Sequence, residues 1–313
     1  MVTVAVVSWN TRELLLRCLD SLAPEVEAER AEVWVVDNAS DDGSAESARQ
    51  AGRQIRVVEL EQNIGFGRAV NLVAARTTTP WLLASNADVA LRRGALEVMI
   101  RAGEDPRVGC VAPRLLLPDG ATEHSVHPLP TLPLTLAFNL GLHRVSKSLG
   151  ERLCLEGFWN SDRARPVPWA IGACLLIRRV AFEQLGGFDE RQWLYAEDLD
   201  LGWRLHEHGW ITRYEPGAQV VHCSGAATSL AFGADRQSRF MAATYSMIGR
   251  RRGATRMWIT VLLNVAGAAG RLAWMTPLAI VSHRWRRPRD ENRRWLRAHL
   301  RGMRRLPSVG SAT

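Results

Sequence analysis

The chain has 313 residues, 47% of them hydrophobic and 23% charged, which is ample for a packed core and speaks against a disordered chain. Its five cysteines (Cys18, Cys110, Cys154, Cys174 and Cys223) are odd in number and form no C-x-x-C pair, which speaks against a disulfide framework and a cysteine-held zinc. The net charge of +8 is unevenly spread: from Arg250 onwards fifteen arginines face two acids, whereas the first 249 residues hold 25 bases and 30 acids, so the basic end predicts an anionic partner.

The opening run Val2–Ser8 is apolar and β-branched, the pattern of a parallel strand buried on both faces. Asn10, with Glu13 three residues on, is placed to cap the next helix, in which Leu15, Leu19 and Leu22 keep helical spacing and Pro24 marks the stop. Val33–Val36 predicts a second strand running into Asp37-Asn-Ala-Ser40. Ile55–Val58 predicts a third, leading to Asn63-Ile-Gly-Phe-Gly67. Trp81–Ala84 predicts a fourth, ending at Ser85-Asn-Ala-Asp88, with a helix expected from Leu91. Strands alternating with helices predict an α/β fold with a doubly wound, mostly parallel sheet, whose ligands sit beyond the carboxyl ends of the strands. Ser8, Asp37 and Asp88 fall at such ends. Pro113–Pro168, rich in Pro, His and small residues, reads as an irregular insertion. Trp169–Arg178 gives a further apolar strand, and a helix follows the acids at 197–200 and stops at Gly209.

Each polar cluster has a chemical reading beside a structural one. Asp37 is either an acceptor for a nucleobase imide or an ordinary turn residue. Asn63-x-Gly-x-Gly67 lacks the third glycine of a dinucleotide fingerprint, because Val70 stands there; Gly65 then belongs to a plain turn or to a backbone cradle near a diphosphate. Asn86 and Asp88 suit a hard cation that bridges phosphates, or Asp88 caps a helix. Glu197, Asp198 and Asp200 are more acids than a helix dipole calls for, and like charges at a pocket edge raise a carboxyl into a base's working range. His222 follows Val220-Val221 and is a core histidine or a ligand, with Ser224, Thr228 and Ser229 supplying hydroxyls for a phosphate-facing loop.

Together these residues resemble the family-2 glycosyltransferases with their GT-A fold, and among them the rhamnosyltransferase-like branch that acts on bacterial cell-envelope polymers. The anchors are Val7-Ser-Trp-Asn10, Asp37–Ser44, Asn63–Gly67 with Asn71, Ser85–Asp88, Gly186-Gly-Phe-Asp-Glu190, Tyr195–Leu201 with Arg204, and His222-x-Ser224. They stand in the family's order over about residues 2–230. The resemblance implies that Ser8, Asn10, Asp37, Asn63, Gly65, Asn71 and Asn86 bind the donor nucleotide, with Asp37 on the base. It implies that Asp88, with His222 as a further contact, holds a divalent metal (Mg²⁺ or Mn²⁺), that Asp198 is the catalytic base, and that Trp169, Gly172, Glu197 and Arg204 line the acceptor side. Asn86 departs from a strict Asp-x-Asp and leaves the metal site less anionic. The implied reaction is an inverting transfer of a sugar, rhamnose being one candidate, from a nucleotide-diphosphate donor to a hydroxyl of a cell-envelope or lipid-linked glycan.

Met257–Ser282 is apolar but broken by Asn264, Arg271 and Pro277, and its clean part, Trp258–Gly270, is 13 residues, short of the roughly 20 that a spanning helix needs. An interfacial helix, packing on the domain and a true span all stay open. Arg284–Arg305 holds ten arginines interleaved with Trp285 and Trp295, a composition suited to an anionic lipid surface. Nothing before it reads as a nucleic-acid binder. The expected division is a GT-A catalytic domain over 1–235 and a helical, Arg-rich, membrane-associating extension over 236–313. The expected location is the cytoplasmic, inner face of the cell membrane, since no leader-like stretch precedes Val2. The alternatives are a sugar-phosphate nucleotidyltransferase, for which Ser8-Trp-Asn-Thr-Arg12 is not the Gly-rich basic loop, and an inactive sugar-nucleotide-binding scaffold, against which Asp88 and Asp198 speak.

Overall fold

The uncharged run Val2–Ser8 forms strand β1, buried along nearly its whole length, as a strand with neighbours and helices on all sides must be. The structure, a computed structural model, describes residues 1–52, 54–142, 146–155, 157–225 and 232–306. The further strands are β2 (Ala31–Asp37), β3 (Ile55–Glu59), β4 (Trp81–Asn86), β5 (Val89–Leu91), β6 (Val108–Leu116), β7 (Val126–His127), β8 (Arg165–Val167), β9 (Trp169–Ala170), β10 (Cys174–Arg178) and β11 (Ile211–His222). Helices α1 (Arg12–Glu27), α2 (Ser44–Ala51), α3 (Phe66–Ala74), α4 (Ala95–Ala102), α5 (Leu132–Asn139), α6 (Lys147–Arg152), α7 (Arg179–Gln184) and α8 (Glu197–Glu207) alternate with them. Three more, α9 (Arg236–Arg252), α10 (Ala254–Val281) and α11 (Arg286–Arg304), close the described chain.

The main sheet runs β3-β2-β1-β4-β10-β6-β11-β5, with β8 added on β11. Strands β1 to β4 are parallel, and the register pairs Ser8 with Asp37 and Val7 with Asn86, so three functional candidates end on one edge. Alternation along the buried strands feeds two cores. Val4, Val33, Leu83 and Leu176 meet Leu15 and Leu19 of α1 and Met99 of α4 on one face. Ala5, Val36, Leu82 and Ile177 meet Val70, Phe182 and Leu201 on the other.

Several expectations are corrected. Asn10 does not cap α1: Thr11 stands at the cap without a side-chain bond, and Asn10 takes a left-handed φ of 52° and bonds across to another loop. Helix α1 runs through Pro24 to Glu27, because a proline in the last turn removes a single N–H and leaves the carbonyls free to accept. No helix starts at Leu91; Val89–Leu91 is strand β5, drawn into the sheet by β11. Pro113 lies inside β6, opposite Glu215, where β11 is irregular and a ladder N–H is not needed. The insertion that follows holds β7, α5, α6 and β8. The run Trp169–Arg178 is split, since Ile171 still follows β9 along β7, Ala173 already follows β10 along β4, and the Gly172 amide between them bonds outside the strands.

The chain divides into two units. One holds the sheet and its helices. The other gathers Pro130–Gly150, Leu194–Ala196 and Ala231–Thr313. In this helical unit small residues let helices touch: a Cβ on Gly302 of α11 would lie 2.8 Å from the Met241 Cβ and 3.1 Å from the Ser238 carbonyl of α9. The Tyr245 hydroxyl and His299 Nδ1 share a buried 2.8 Å hydrogen bond across the same helices. Helix α11 is therefore an integral part of this unit. Gly302→Val should weaken the α9–α11 contact by about 1–3 kcal/mol. Hydrogen exchange should then quicken in α9 and α11 and stay unchanged in β1 and β4; unchanged exchange in α11 would mean that it does not pack as described.

Candidate functional site

The loops after β1 and β2 are stitched together. The Asn10 amide donates to Ser40 Oγ at 2.9 Å, Asn10 Oδ1 accepts from the Asp41 amide at 2.9 Å, and the Ser8 and Thr11 hydroxyls lie 3.1 Å apart. Asp37 is 1% exposed; its Oδ1 accepts the Ser40 amide, while Oδ2 is buried with no partner among the described residues. A buried carboxylate oxygen without a donor is what a ligand N–H would satisfy. Asn38 reaches from this loop to the Ile64 amide and the Gly65 carbonyl. Asn63 Oδ1 accepts the Gly65 amide at 2.9 Å, and its carbonyl accepts Trp193 Nε1. Gly65 has a φ of +89°, and a Cβ there would sit 2.2 Å from the Trp193 carbonyl, so no other residue fits.

Asn71 and Arg204, expected at the donor and acceptor sides, are half-buried and buried, and their side chains hold backbone. The Asn71 amide exchanges two 2.9 Å hydrogen bonds with the Phe188 backbone. The Arg204 guanidinium pairs with buried Asp200 at 2.7 Å and donates to the Leu185 and Gly187 carbonyls. Both side chains pin the turn around Gly186-Gly187. Asp200 is thereby the one acid of the three at the α8 start that is neutralised within the fold. Trp169 is buried, donates to the Pro128 carbonyl, and lies where a Cβ on Gly202 would come within 2.4 Å of it.

Strand β5 brings a second cluster together. Its antiparallel register sets Val89 opposite His222 and so carries Asp88 to the end of β11. His222 Nε2 lies 3.4 Å from Asp88 Oδ1, within ion-pair range yet not a hydrogen bond, and both atoms are buried without another partner among the described residues. His222 Nδ1 is 2.7 Å from Glu123 Oε2. Burial opposes charge on His222, but the nearby carboxylates of Asp88 and Glu123 outweigh it and push the imidazole up to about 9. Burial also opposes charge on Glu123, and His222 more than offsets that, holding its carboxyl below the usual range. No trio of His, Cys, Asp or Glu able to hold a metal occurs among the described residues. Once the imidazole has given up its proton, these two orphaned buried atoms, 3.4 Å apart, fit a cation whose other ligands a bound molecule would supply. Glu123, absent from the sequence reading, is the partner that fixes the ring of such a ligand. Thr228 and Ser229 lie outside the described residues.

The third cluster opens α8. Tyr195 and Ala196 both have left-handed φ values, 65° and 63°, a strained lead-in for residues with side chains. Asp198 Oδ2 accepts the Gly172 amide at 2.8 Å and Oδ1 the Leu199 amide at 2.7 Å. A Cβ on Gly172 would lie 3.2 Å from the Asp198 Cβ, so the glycine sets the approach. The next residue, Ala173, accepts the Asn86 amide at 2.9 Å. Consecutive residues thus tie the start of α8 to the end of β4, two residues before Asp88. Burial raises both acids, and the neighbouring Asp198 charge helps push Glu197 up to about 8, while backbone donors hold Asp198 back.

The family model for glycosyl transferase family 2 matches residues 3–186, and that for glycosyl transferase family group 2 matches residues 151–288. An N-acetylglucosaminyl-diphospho-decaprenol L-rhamnosyltransferase of Mycobacterium tuberculosis is 33% identical over 241 residues, covering 72% of this chain and 76% of that protein. Rhamnosyltransferase WbbL of Escherichia coli is 26% identical over 168 residues, covering 50% of this chain and 60% of that protein. Among solved structures, the mannosyltransferase PcManGT of Pyrobaculum calidifontis, in complex with GDP-Man and Mn²⁺, superposes with a TM-score of 0.64 at 18% identity, over 96% of this chain and 86% of that one. GalNAc-T7 with UDP, GalNAc and Mn²⁺ gives a TM-score of 0.55 at 14% identity, over 79% and 47%. These two likenesses are of fold.

The Glu197–Asp198 pair makes stability depend on pH. Folding raises both acids, so the folded chain keeps protons that the unfolded chain gives up. The contribution of Glu197 is complete below its ordinary value of 4.5 and is lost as pH rises towards about 8. Between about pH 5 and about pH 8.5, wild type should therefore lose more unfolding free energy than Glu197→Gln, measured by urea denaturation. Equal losses would mean that Glu197 ionises as an ordinary exposed acid.

Proposed function

The chain belongs to glycosyl transferase family 2, and we propose that it moves a sugar, L-rhamnose first among the candidates, from a nucleotide-diphosphate donor to a hydroxyl of a lipid-linked or cell-envelope glycan, with inversion and with a divalent cation. The observation that carries this reading is Asp198. Its carboxylate is held by the Gly172 amide, and the adjoining Ala173 carbonyl holds the strand end that leads to Asp88. The mycobacterial relative, named for an L-rhamnose transfer to a diphospho-decaprenol acceptor, supports the donor and acceptor classes.

In this reading Asp198 takes the proton of the acceptor hydroxyl. The oxygen bonds to the anomeric carbon from the face opposite the nucleotide, the bond from that carbon to the diphosphate oxygen breaks, and configuration inverts. Glu197, raised by burial and by its neighbour, carries the proton that two close acids share, which leaves Asp198 as the charged member with two backbone donors. Asp37 Oδ2 accepts an N–H of the base. A cation bound by Asp88 and His222 would supply positive charge to the leaving diphosphate; Mn²⁺ in the two fold neighbours supports such an ion. The protein acts at the inner, cytoplasmic face of a cell membrane, which its basic end contacts. No observation favours a nucleotidyltransferase or an inactive scaffold over this reading.

Asp198→Asn should lower turnover about 10²- to 10⁴-fold. Affinity for a nucleoside diphosphate, measured by calorimetry, should stay within about threefold, because the amide still accepts the Gly172 N–H. Retention of more than about a tenth of wild-type turnover removes Asp198 from the role of base. Glu123→Gln should weaken Mn²⁺ binding about 10- to 100-fold in titrations with nucleoside diphosphate present. An unaltered Mn²⁺ affinity would detach Glu123 and His222 from the ion.

A further inference from the structure

Helix α10 is unusual in what it shows to solvent. Ile259, Leu262, Ala266, Ala273, Pro277 and Ile280 are all exposed and recur at steps of three, four and seven, one continuous uncharged stripe along the helix. Leu262 is 64% and Ile280 76% exposed. Surface helices of water-soluble domains put charge on that side. The opposite side is already committed. Asn264 accepts a hydrogen bond from Asn139 of α5, and Arg271 donates to the same Asn139 and to Asn292 of α11. The clasp on Asn139 brings α5 alongside α10, and α5 is itself exposed at Leu136 and Phe138, as is Leu140 just after it. Eleven of the fourteen exposed large hydrophobic side chains among the described residues belong to the helical unit.

We propose that this stripe, with Phe138 and Leu140, is a docking face that lies in the plane of an anionic bilayer, so that α10 rests in the membrane surface and does not cross it. The proposal rests on the membrane reading above and names the surface that carries it. Length alone allows a crossing: α10 has 28 residues and is apolar enough to span. Its partner helix forbids it. Helix α11 is bound to α10 through Asn292, which accepts from Arg271 and donates to Met275 Sδ, and α11 carries eight arginines, which are costly in hydrocarbon. At the membrane surface the same charges are complementary: residues 232–306 hold seventeen arginines and three acids, which selects anionic headgroups as the partner. Trp274 packs edge-on against Trp285, and Arg284 stands over the Trp285 ring at 5.5 Å, an aromatic and cationic rim of the kind that settles at headgroup level.

The test is flotation of the full-length protein with vesicles of phosphatidylcholine alone or mixed equally with phosphatidylglycerol. The full chain should float with the mixed vesicles, and part of that binding should survive high salt, because burial of apolar surface is not screened. Leu262→Glu/Ile280→Glu should bind about tenfold more weakly with an unchanged melting curve, since both side chains are exposed. A full chain that floats with neither vesicle overturns the membrane reading itself. If the double variant binds as tightly as wild type, the arginines act alone and the stripe is not the docking face. If the bound chain resists carbonate extraction, α10 spans. A lipid-free dimer in sedimentation that the double variant dissolves would make the stripe a contact between copies.

Discussion

A carboxylate inside a protein needs donors to replace the water it has lost, and Asp198 finds two, in the amides of Gly172 and Leu199, which oppose the upward push of burial. The Leu199 amide is free because it stands in the first turn of a helix, where N–H groups have no partner of their own. The Gly172 amide is free because the apolar run from Trp169 breaks out of the ladder there. On either side of it Ile171 continues the pairing of β9 with β7, and Ala173 that of β10 with β4. Three consecutive residues thus hold β7, the start of α8 and the end of β4. The position of the metal candidates and that of the base candidate both follow from this one interruption.

The proposed donor side is built on contact distance. Gly65 lets the chain pass the Trp193 carbonyl, and Gly67 lets α3 lie on the Phe188 ring. The turn that carries Phe188 is gripped from two helices, by Asn71 of α3 and Arg204 of α8, each making two bonds to its backbone or that of Leu185. Polar side chains here work as rivets between elements, and the same use recurs in the helical unit at Asn139, Asn264 and Arg271. In both places hydrogen bonds offset the cost of burying a polar group, and a particular helix contact is specified in return.

Strands β1 and β2 were plain in the sequence because a parallel strand covered on both sides is apolar at every position, and that pattern needs no knowledge of partners. The ends of β1, β2 and β4 were plain for the same reason, so Ser8, Asp37 and Asp88 could be placed on one edge. Strand β5 was not: three residues are too few to show a period, and its state is decided by β11, more than a hundred residues away. Asn71 and Arg204 read as site residues because they stand in polar motifs. Which way such a side chain turns depends on a backbone 117 or 17 residues off, which no local pattern encodes. Glu123 stood in a stretch without periodicity and had no signal beyond being an acid between β6 and β7. The length of α10 was hidden by Asn264, Arg271 and Pro277, which look like breaks until the helices that satisfy the first two are seen.

Strand β11 is the last of the sheet to be synthesised, yet it lies inside the sheet, between β6 and β5. Until residues 211–222 have left the ribosome, β6 has a bare edge and β5 has no strand to pair with. Asp88 is made early and waits for its neighbour through more than a third of the chain's synthesis. The corner that joins Asp88 to His222 is therefore the final piece of the sheet to assemble, and a growing chain short of His222 cannot complete it, however much of the rest has already folded.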